Sequence, residues 1–261
     1  MQAFEFHRPS TVAAAVKAAA ANDAKLIAGG QTLLQAMNLG LAAPESLVDL
    51  AAVEGLKGIA FSDGRLSIGA GTTHAAVAAS PLVQQHIPAL AALAGGIGDR
   101  QVRNRGTLGG SLANNDPAAC YPAAVLALGA TVQTDRRSLS AEAFFTGLYS
   151  TALEPDEIIT SVSFPVPQHA GWQKFKQPAS RFSLVGVFVA KGPAGVRVAV
   201  TGAGANGVFR AGELEDRLSA NYSGAALAGS SVSAQGINSD MHGSAEYRAA
   251  LIAVLAARAL G

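Results

Sequence analysis

The single cysteine is the feature that most restricts how this chain can be held together. Only Cys120 among the 261 residues carries a thiol, so no disulfide can form within the chain. A cysteine-ligated zinc site and an iron–sulfur cluster are excluded too, because both need several thiolates. The five histidines are scattered without ligand spacing, so no metal site is expected. Stability must come from a hydrophobic core, and an apolar content of 49% is enough to build one.

Charge and hydropathy exclude several classes of protein. The net charge is +1 and no basic stripe is interleaved with aromatic residues, so nucleic-acid binding is not expected. No apolar run has membrane-spanning length, and residues 1–7 lack the parts of a secretory signal, which favours a cytoplasmic protein without a membrane span. No nucleophile lies near a base, so no catalytic residue is assigned and a bound cofactor would have to supply any chemistry.

A glycine loop near the N-terminus predicts an anion-binding site. Residues 25–28 are expected to form a short buried strand and residues 33–39 a helix. Gly29 and Gly30 lie between them, in the first loop (residues 28–32). In a strand, glycine turn and helix N-terminus, free N–H groups and the helix dipole point the same way. This loop lacks the lysine of a Walker A loop, which disfavours a nucleoside triphosphatase.

A second segment, residues 97–117, is rich in glycine and arginine. Here the N–H groups of Thr107, Gly109, Gly110 and Ser111 are expected to be free to bind one anion. Our hypothesis is that this segment and the first loop hold one phosphate-bearing cofactor between them, the alternative being two ordinary turns. The arginines at 100, 103 and 105 either pair with phosphate or face a partner subunit.

The C-terminal part shows a different pattern of predicted strands and helices from the rest of the chain. Residues 165–167, Pro-Val-Pro, predict a linker, because proline is stiff and cannot donate a hydrogen bond to a sheet. Strands and then packed helices are expected beyond it. Residues 202–207 match the dinucleotide pattern G-x-G-x-x-G, but the next helix is expected only near residue 211. A glycine turn is therefore favoured over a dinucleotide site.

Three stretches, residues 28–33, 101–113 and 115–119, resemble the FAD-binding medium subunits of the molybdenum hydroxylases, the xanthine dehydrogenase and carbon monoxide dehydrogenase family. Residues 155–159, 178–182, 246–248 and 258–260 extend the resemblance over nearly the whole chain. It implies an α+β fold with a two-subdomain FAD-binding domain of the vanillyl-alcohol-oxidase/PCMH type. That domain would occupy residues 1–165, with subdomains of about 1–52 and 53–165. A smaller α+β domain with a sheet and packed helices would follow in residues 168–261.

The resemblance also implies that FAD lies between the two subdomains. One side of its pyrophosphate and ribityl chain would be wrapped by residues of the first loop and its flanks, namely Leu26, Ile27, Ala28, Gly29, Gly30, Gln31, Thr32 and Leu33. The other side would be wrapped by Thr107, Gly109, Gly110, Ser111 and Ala113. Ile97 and Gly98 would lie near the adenosine half, and Ile159 near the flavin ring.

Two assignments within the resemblance have alternatives. A lysine from the first strand after the linker would approach the flavin; Lys174 and Lys176 both fit, and Lys174 is favoured. Some relatives have a cofactor-contacting acid where this chain has Cys120, and a thiol cannot accept hydrogen bonds as a carboxylate does. Either Asp116 takes over part of that contact or the contact is absent.

The function implied by the resemblance is electron transfer within an oxidoreductase complex. A large partner subunit would oxidise the substrate at a molybdenum–pterin centre, and a small partner would carry electrons through 2Fe–2S clusters. FAD on this chain would collect two electrons and pass them to an external acceptor: NAD, a quinone, a cytochrome or oxygen. A heterotrimer, or its dimer, is expected. The alternatives are a stand-alone flavoprotein oxidase or dehydrogenase with its own organic substrate, and a cofactor-free assembly scaffold.

Overall fold

The N-terminal part of the chain forms a small parallel sheet. The computed structural model describes residues 2–21 and 23–261. Its first elements are β1 (Glu5–His7), α1 (Val12–Ala19), β2 (Ala24–Ile27), α2 (Leu33–Asn38) and β3 (Ser46–Asp49). The strand order is β1-β3-β2, with both neighbours parallel. Val48 on the central strand is fully buried, and Leu47 nearly so, because helices cover the sheet.

A larger antiparallel sheet follows. Its strands are β4 (Ile59–Ser62), β5 (Arg65–Gly69), β6 (Thr131–Thr134), β7 (Ser138–Ser140) and β10 (Ile159–Pro165), in the order β4-β5-β10-β6-β7. The helices inserted between its strands are α3 (His74–Ala79), α4 (Pro81–His86), α5 (Pro88–Gly95), α6 (Arg100–Arg105), α7 (Leu108–Asn114), α8 (Tyr121–Leu128) and α9 (Ala141–Phe144). A two-stranded ribbon, β8 (Phe145–Gly147) and β9 (Ser150–Thr151), completes this part.

The third sheet is antiparallel and is covered on both faces. It has the order β11-β12-β13-β14, with β11 (His169–Lys176), β12 (Ser183–Gly192), β13 (Gly195–Thr201) and β14 (Phe209–Arg210). The helices α10 (Gly212–Ala220) and α11 (Ala245–Arg258) follow. On β12, Val185 and Val187 belong to the core beneath α10 and α11, whereas Phe188 belongs to the core around α8. Because successive strand residues point to opposite faces, β12 is hydrophobic almost throughout.

The mixture of sheets and helices confirms the predicted α+β character, but the glycine- and arginine-rich 97–117 segment differs from the expected loop. It contains α6 and α7, whose N-termini are capped by the side chains of Asp99 and Thr107. Capping satisfies amides that a glycine-rich stretch would otherwise leave free. The domain boundaries near residues 52 and 165 stay predictions. No helix among residues 2–21 and 23–261 is long and apolar enough to cross a membrane.

An ion pair between the buried carboxylate of Glu157 and the exposed Arg137 joins the turn before β10 to the hairpin between β6 and β7. The Glu157 carboxylate accepts hydrogen bonds from Arg137 Nε at 2.8 Å and Nη2 at 2.7 Å. It also accepts from Thr134 Oγ1 at 2.8 Å and from the Glu154 N–H at 3.0 Å. The Arg137 hydrogen bonds are the main cause that lowers the pKa of Glu157 from 4.5 to about 2.

We expect this carboxylate to contribute to acid stability. Its pKa is lower in the folded than in the unfolded chain, so the stabilisation is complete above pH 4.5 and disappears towards pH 2. The difference in free energy of unfolding between the wild type and Glu157→Gln should be roughly 2 kcal/mol at neutral pH and should shrink over that window. Urea unfolding at a series of pH values measures it, with Glu54→Gln, a change of an exposed glutamate, as control. A pH-independent difference would contradict the assignment.

Candidate functional site

The first loop offers a row of unused hydrogen-bond donors. It joins the end of β2 to the start of α2, so the predicted order of strand, glycine turn and helix is confirmed. Gly30 has a positive φ of 70°, which glycine adopts without strain. Within residues 2–21 and 23–261, the N–H groups of residues 29–33 donate no hydrogen bond. Consecutive free amides in such a turn form a concave site for an anion.

Leu26 and Ile27 support this loop from within the sheet rather than facing outwards. Leu26 packs with Val48 in one cluster, while Ile27 packs with Met37 and Leu47 in another. Their side chains therefore lie on opposite faces of the parallel sheet. Of the loop residues, only Thr32 is exposed, and the others are half-buried.

The prediction of free N–H groups in the second segment is wrong at three positions. The Gly109 N–H donates to the Ala70 carbonyl at 2.8 Å. The Gly110 N–H donates to Thr107 Oγ1 at 3.1 Å, and the Ser111 N–H donates to the Thr107 carbonyl at 3.0 Å. These amides are occupied because α7 begins at this point, with Thr107 as its cap. The polar groups that remain for a ligand are the Thr107 N–H, which donates to no group within residues 2–21 and 23–261, and the hydroxyl protons of Thr107 and Ser111.

The outer surface of α7 is made of small residues. Gly110 and Ala113 are exposed and lie three residues apart, on one face of the helix. Gly109 is buried on the opposite side, where a Cβ would lie 2.5 Å from the Ala70 Cβ. Glycine at 109 thus allows close packing within the protein, whereas glycine at 110 leaves open space outside it.

The first loop and the second segment lie in direct contact. A Cβ on Gly29 would overlap the Arg105 carbonyl oxygen and lie 2.8 Å from Gly106 Cα. A Cβ on Gly110 would lie 3.7 Å from the Ala28 Cβ. The structure therefore brings together the two sets of residues that the sequence analysis placed on either side of a cofactor.

Cationic side chains converge on the turn between α5 and α6. Arg103 Nη1 donates to the Ile97 carbonyl at 3.0 Å and to the Gly98 carbonyl at 3.3 Å. Arg181 Nη1, from the loop between β11 and β12, donates to the Gly98 carbonyl at 3.4 Å. Ile97 and Gly98 are half-buried beneath these groups. Arg181 was missed by the sequence analysis, although it lies in the 178–182 stretch that carries part of the resemblance.

The two candidate lysines have different environments. Lys174 Nζ donates to the carbonyl oxygens of Gly96 at 2.8 Å and Arg181 at 3.0 Å, and it lies 3.6 Å from Cys120 Sγ. Lys176 is exposed, and its ammonium group makes no hydrogen bond to residues 2–21 or 23–261. A bulge after Phe175 shifts the register of β11 on β12. Lys174 is therefore the lysine that joins the third sheet to the 96–98 turn.

Cys120 and Asp116 also differ in their surroundings. Cys120 is buried, with its Sγ 3.5 Å from Ser183 Oγ. Asp116 is half-exposed and accepts the Ala118 N–H at 2.8 Å, as in a turn. The exposed Tyr149 lies next to this turn, since its N–H donates to the Asn115 carbonyl at 3.3 Å. Burial, followed by the Asp116 carboxylate, raises the pKa of Tyr149. Tyr149 was not singled out in the sequence.

Ile159 is more deeply buried than expected for a residue that packs beside a flavin ring. It is 5% exposed and belongs to the core of the five-stranded sheet. The carbonyl of the next residue, Thr160, accepts the Ala70 N–H at 2.9 Å, which places this part of β10 next to the packing site of Gly109. Its contact with a cofactor stays a prediction.

Similarity to known proteins covers nearly the entire chain. Residues 2–167 match the family model described as "FAD binding domain in molybdopterin dehydrogenase". The nicotine 6-hydroxylase medium subunit of Paenarthrobacter nicotinovorans is 38% identical, over 91% of this chain and 89% of that protein. The carbon monoxide dehydrogenase medium chain of Hydrogenophaga pseudoflava is 34% identical, over 98% of this chain and 96% of that one.

Solved structures agree with the sequence comparison. Carbon monoxide dehydrogenase from Hydrogenophaga pseudoflava superposes with a TM-score of 0.89 at 32% identity, covering 99% of this chain and 96% of the other. Quinoline 2-oxidoreductase from Pseudomonas putida 86 gives 0.89 at 31% identity, with the same coverage. The predicted fold class is thereby confirmed. The chain belongs to the family defined by the FAD-binding domain of molybdopterin dehydrogenases.

Proposed function

We propose that this chain is the FAD-binding, electron-transferring medium subunit of a molybdenum-containing hydroxylase or dehydrogenase complex. One observation carries the proposal: a chain of this family presents unused N–H groups at residues 29–33 beside the exposed small-residue face of α7. The free amides match the need of a pyrophosphate for hydrogen-bond donors. The single cysteine leaves the iron–sulfur clusters to another chain.

The described residues fit FAD in three respects. The amides of residues 29–33 would bind the pyrophosphate, and the hydroxyls of Thr107 and Ser111 would add donors from the other side. Gly110 and Ala113 would leave room for the ribityl chain, since neither extends beyond Cβ. When bound, FAD supplies a two-electron carrier that also exchanges single electrons.

Lys174 is the residue that would set the charge beside the flavin. Its ammonium group is held by two carbonyl oxygens, of Gly96 and Arg181, and no carboxylate neutralises it within the described residues. A fixed positive charge favours the reduced, anionic form of a flavin and so raises its potential. Lys176 would have no such effect from its exposed position.

The proposed partners are a large molybdenum–pterin subunit and a small subunit with 2Fe–2S clusters, in a heterotrimer or its dimer. The relatives are named medium subunit and medium chain, and those names support a complex of several chains. We propose a cytoplasmic location and the domain division at residues 52 and 165. NAD, a quinone, a cytochrome and oxygen all stay open as external acceptors. The relatives do not favour a stand-alone flavoprotein.

Expression of the full chain with FAD tests the proposal. The purified chain should be yellow, should release FAD on denaturation and should not oxidise organic substrates by itself. Co-purification from the native host should then yield molybdenum, iron and flavin in one complex. Turnover of an organic substrate without partner chains would favour the stand-alone flavoprotein. A colourless chain that takes up no FAD would favour the assembly scaffold.

A further inference from the structure

We propose that His74 is a positioning residue for the cofactor, because its imidazole holds Gly106 against Gly29 and so sets the spacing between the first loop and α7. The inference rests on the proposed function, since it assigns a role in FAD binding. His74 is the first residue of α3 and is 5% exposed. Neither the sequence analysis nor the resemblance singled it out.

Three observations define the contact between His74 and Gly106. The His74 N–H donates to the Gly106 carbonyl at 3.0 Å, and Thr73 pairs with Thr107 in a short β-bridge. A Cβ on Gly106 would lie 2.5 Å from His74 Nε2, so the imidazole occupies the space of a side chain at that position. On its other side, Gly106 Cα would lie 2.8 Å from a Cβ on Gly29. The imidazole therefore supports the close contact between Gly106 and Gly29, where the backbones of the two binding segments meet.

Glycine at 106 is required by this contact and not by the backbone. Gly106 has φ −60° and ψ 143°, a conformation that any residue adopts. The close neighbours that a methyl group would meet are the His74 ring at 2.5 Å and the Val102 carbonyl at 3.2 Å. Removing the imidazole should thus make room for alanine at 106, and this gives the contact a specific test.

The imidazole is suited to a packing role because it is neutral. Burial, with a smaller effect from the nearby Arg103 charge, lowers the pKa of His74 to about 4. Its Nδ1 and the Tyr121 hydroxyl have no hydrogen-bond partner within residues 2–21 and 23–261, and the two rings lie 5.3 Å apart. The ring therefore contributes shape at Gly106 and no charge.

A double-mutant cycle on the full-length chain tests the inference. His74→Ala, Gly106→Ala and the double variant are compared with the wild type by titration with FAD, while circular dichroism reports whether each is folded. We expect each single variant to bind FAD about tenfold more weakly. The double variant should bind more tightly than either, because the alanine methyl fills the space of the imidazole. His86→Ala, a half-buried histidine stacked on Phe61, is the control.

The outcomes separate this inference from the proposed function. A wild-type chain that takes up no FAD contradicts the function and the inference together. Wild-type affinity in both single variants, or single effects that simply add in the double variant, overturns only the role of His74. If His74→Ala does not fold, Gly106→Ala decides alone, because it adds a methyl without emptying the core; unchanged FAD affinity in it overturns the inference.

Discussion

Valine at position 110 is expected to abolish FAD retention in a chain that still folds. Gly110 is exposed and has helical geometry within α7, so the backbone accepts valine, and the close contact to be relieved in the folded protein is with the Thr107 hydroxyl. Its Cβ would point between the two binding segments, 2.9 Å from Thr107 Oγ1 and 3.7 Å from the Ala28 Cβ. The two branches beyond Cβ would then fill the space left for the pyrophosphate and ribityl chain. The ratio of flavin to protein after gel filtration measures the effect.

Two further glycine variants serve as comparisons for Gly110→Val. Gly95→Val changes another exposed helical glycine, whose Cβ would be 3.8 Å from Ala78, and it should keep its flavin. Gly109→Val should instead fail to fold, since its Cβ would lie 2.5 Å from the Ala70 Cβ. A folded Gly110→Val chain with full flavin content would show that the pyrophosphate lies elsewhere.

Alanine at position 248 is expected to lower the free energy of unfolding by roughly 2–4 kcal/mol. Arg248 on α11 is buried, and its Nη1 donates to the carbonyls of Leu184 at 2.8 Å and Gly202 at 3.0 Å. Its Nη2 donates to both carboxylate oxygens of Asp240 at 2.7 Å. Truncation leaves the Leu184 and Gly202 carbonyls without this donor in the interior, which costs more than the loss of the bonds alone, whereas the exposed Asp240 carboxylate is solvated by water.

Urea unfolding monitored by circular dichroism measures this effect. Arg258→Ala removes an exposed arginine from the last turn of the same helix and should change stability little. Arg248→Lys keeps the charge but cannot form the two-pronged contact with Asp240, so it should lie between the wild type and the alanine variant. Equal stability of the two arginine-to-alanine variants would contradict the role of Arg248 in joining α11 to the third sheet.

Much of the fold was predictable because its signals are local. The strand, glycine turn and helix around Gly29 depend on neighbouring residues, and the structure contains them as expected. The short helices α6 and α7 were missed, since glycine content suggested a loop. Their caps, Asp99 and Thr107, are polar residues that favour such positions and were visible in the sequence.

The site was less predictable because its geometry depends on partners distant in sequence. Gly109 has no free N–H, since the Ala70 carbonyl accepts it across the interface between α7 and the end of β5. The choice between Lys174 and Lys176 depends on a bulge in β11 and on the position of the 96–98 turn. No periodic pattern in the sequence predicts either arrangement.

The sequence by itself determined the absence of any cysteine-ligated cluster, because the chain has one cysteine. Its resemblance to the medium subunits of the molybdenum hydroxylases implied the class of fold and the family. Only the tertiary structure decided which donors are free and which residues touch. An N–H group is available to a ligand only if no carbonyl from another element reaches it, as at residues 29–33. The support of Gly106 by His74 likewise exists only after α3 and α6 have packed together.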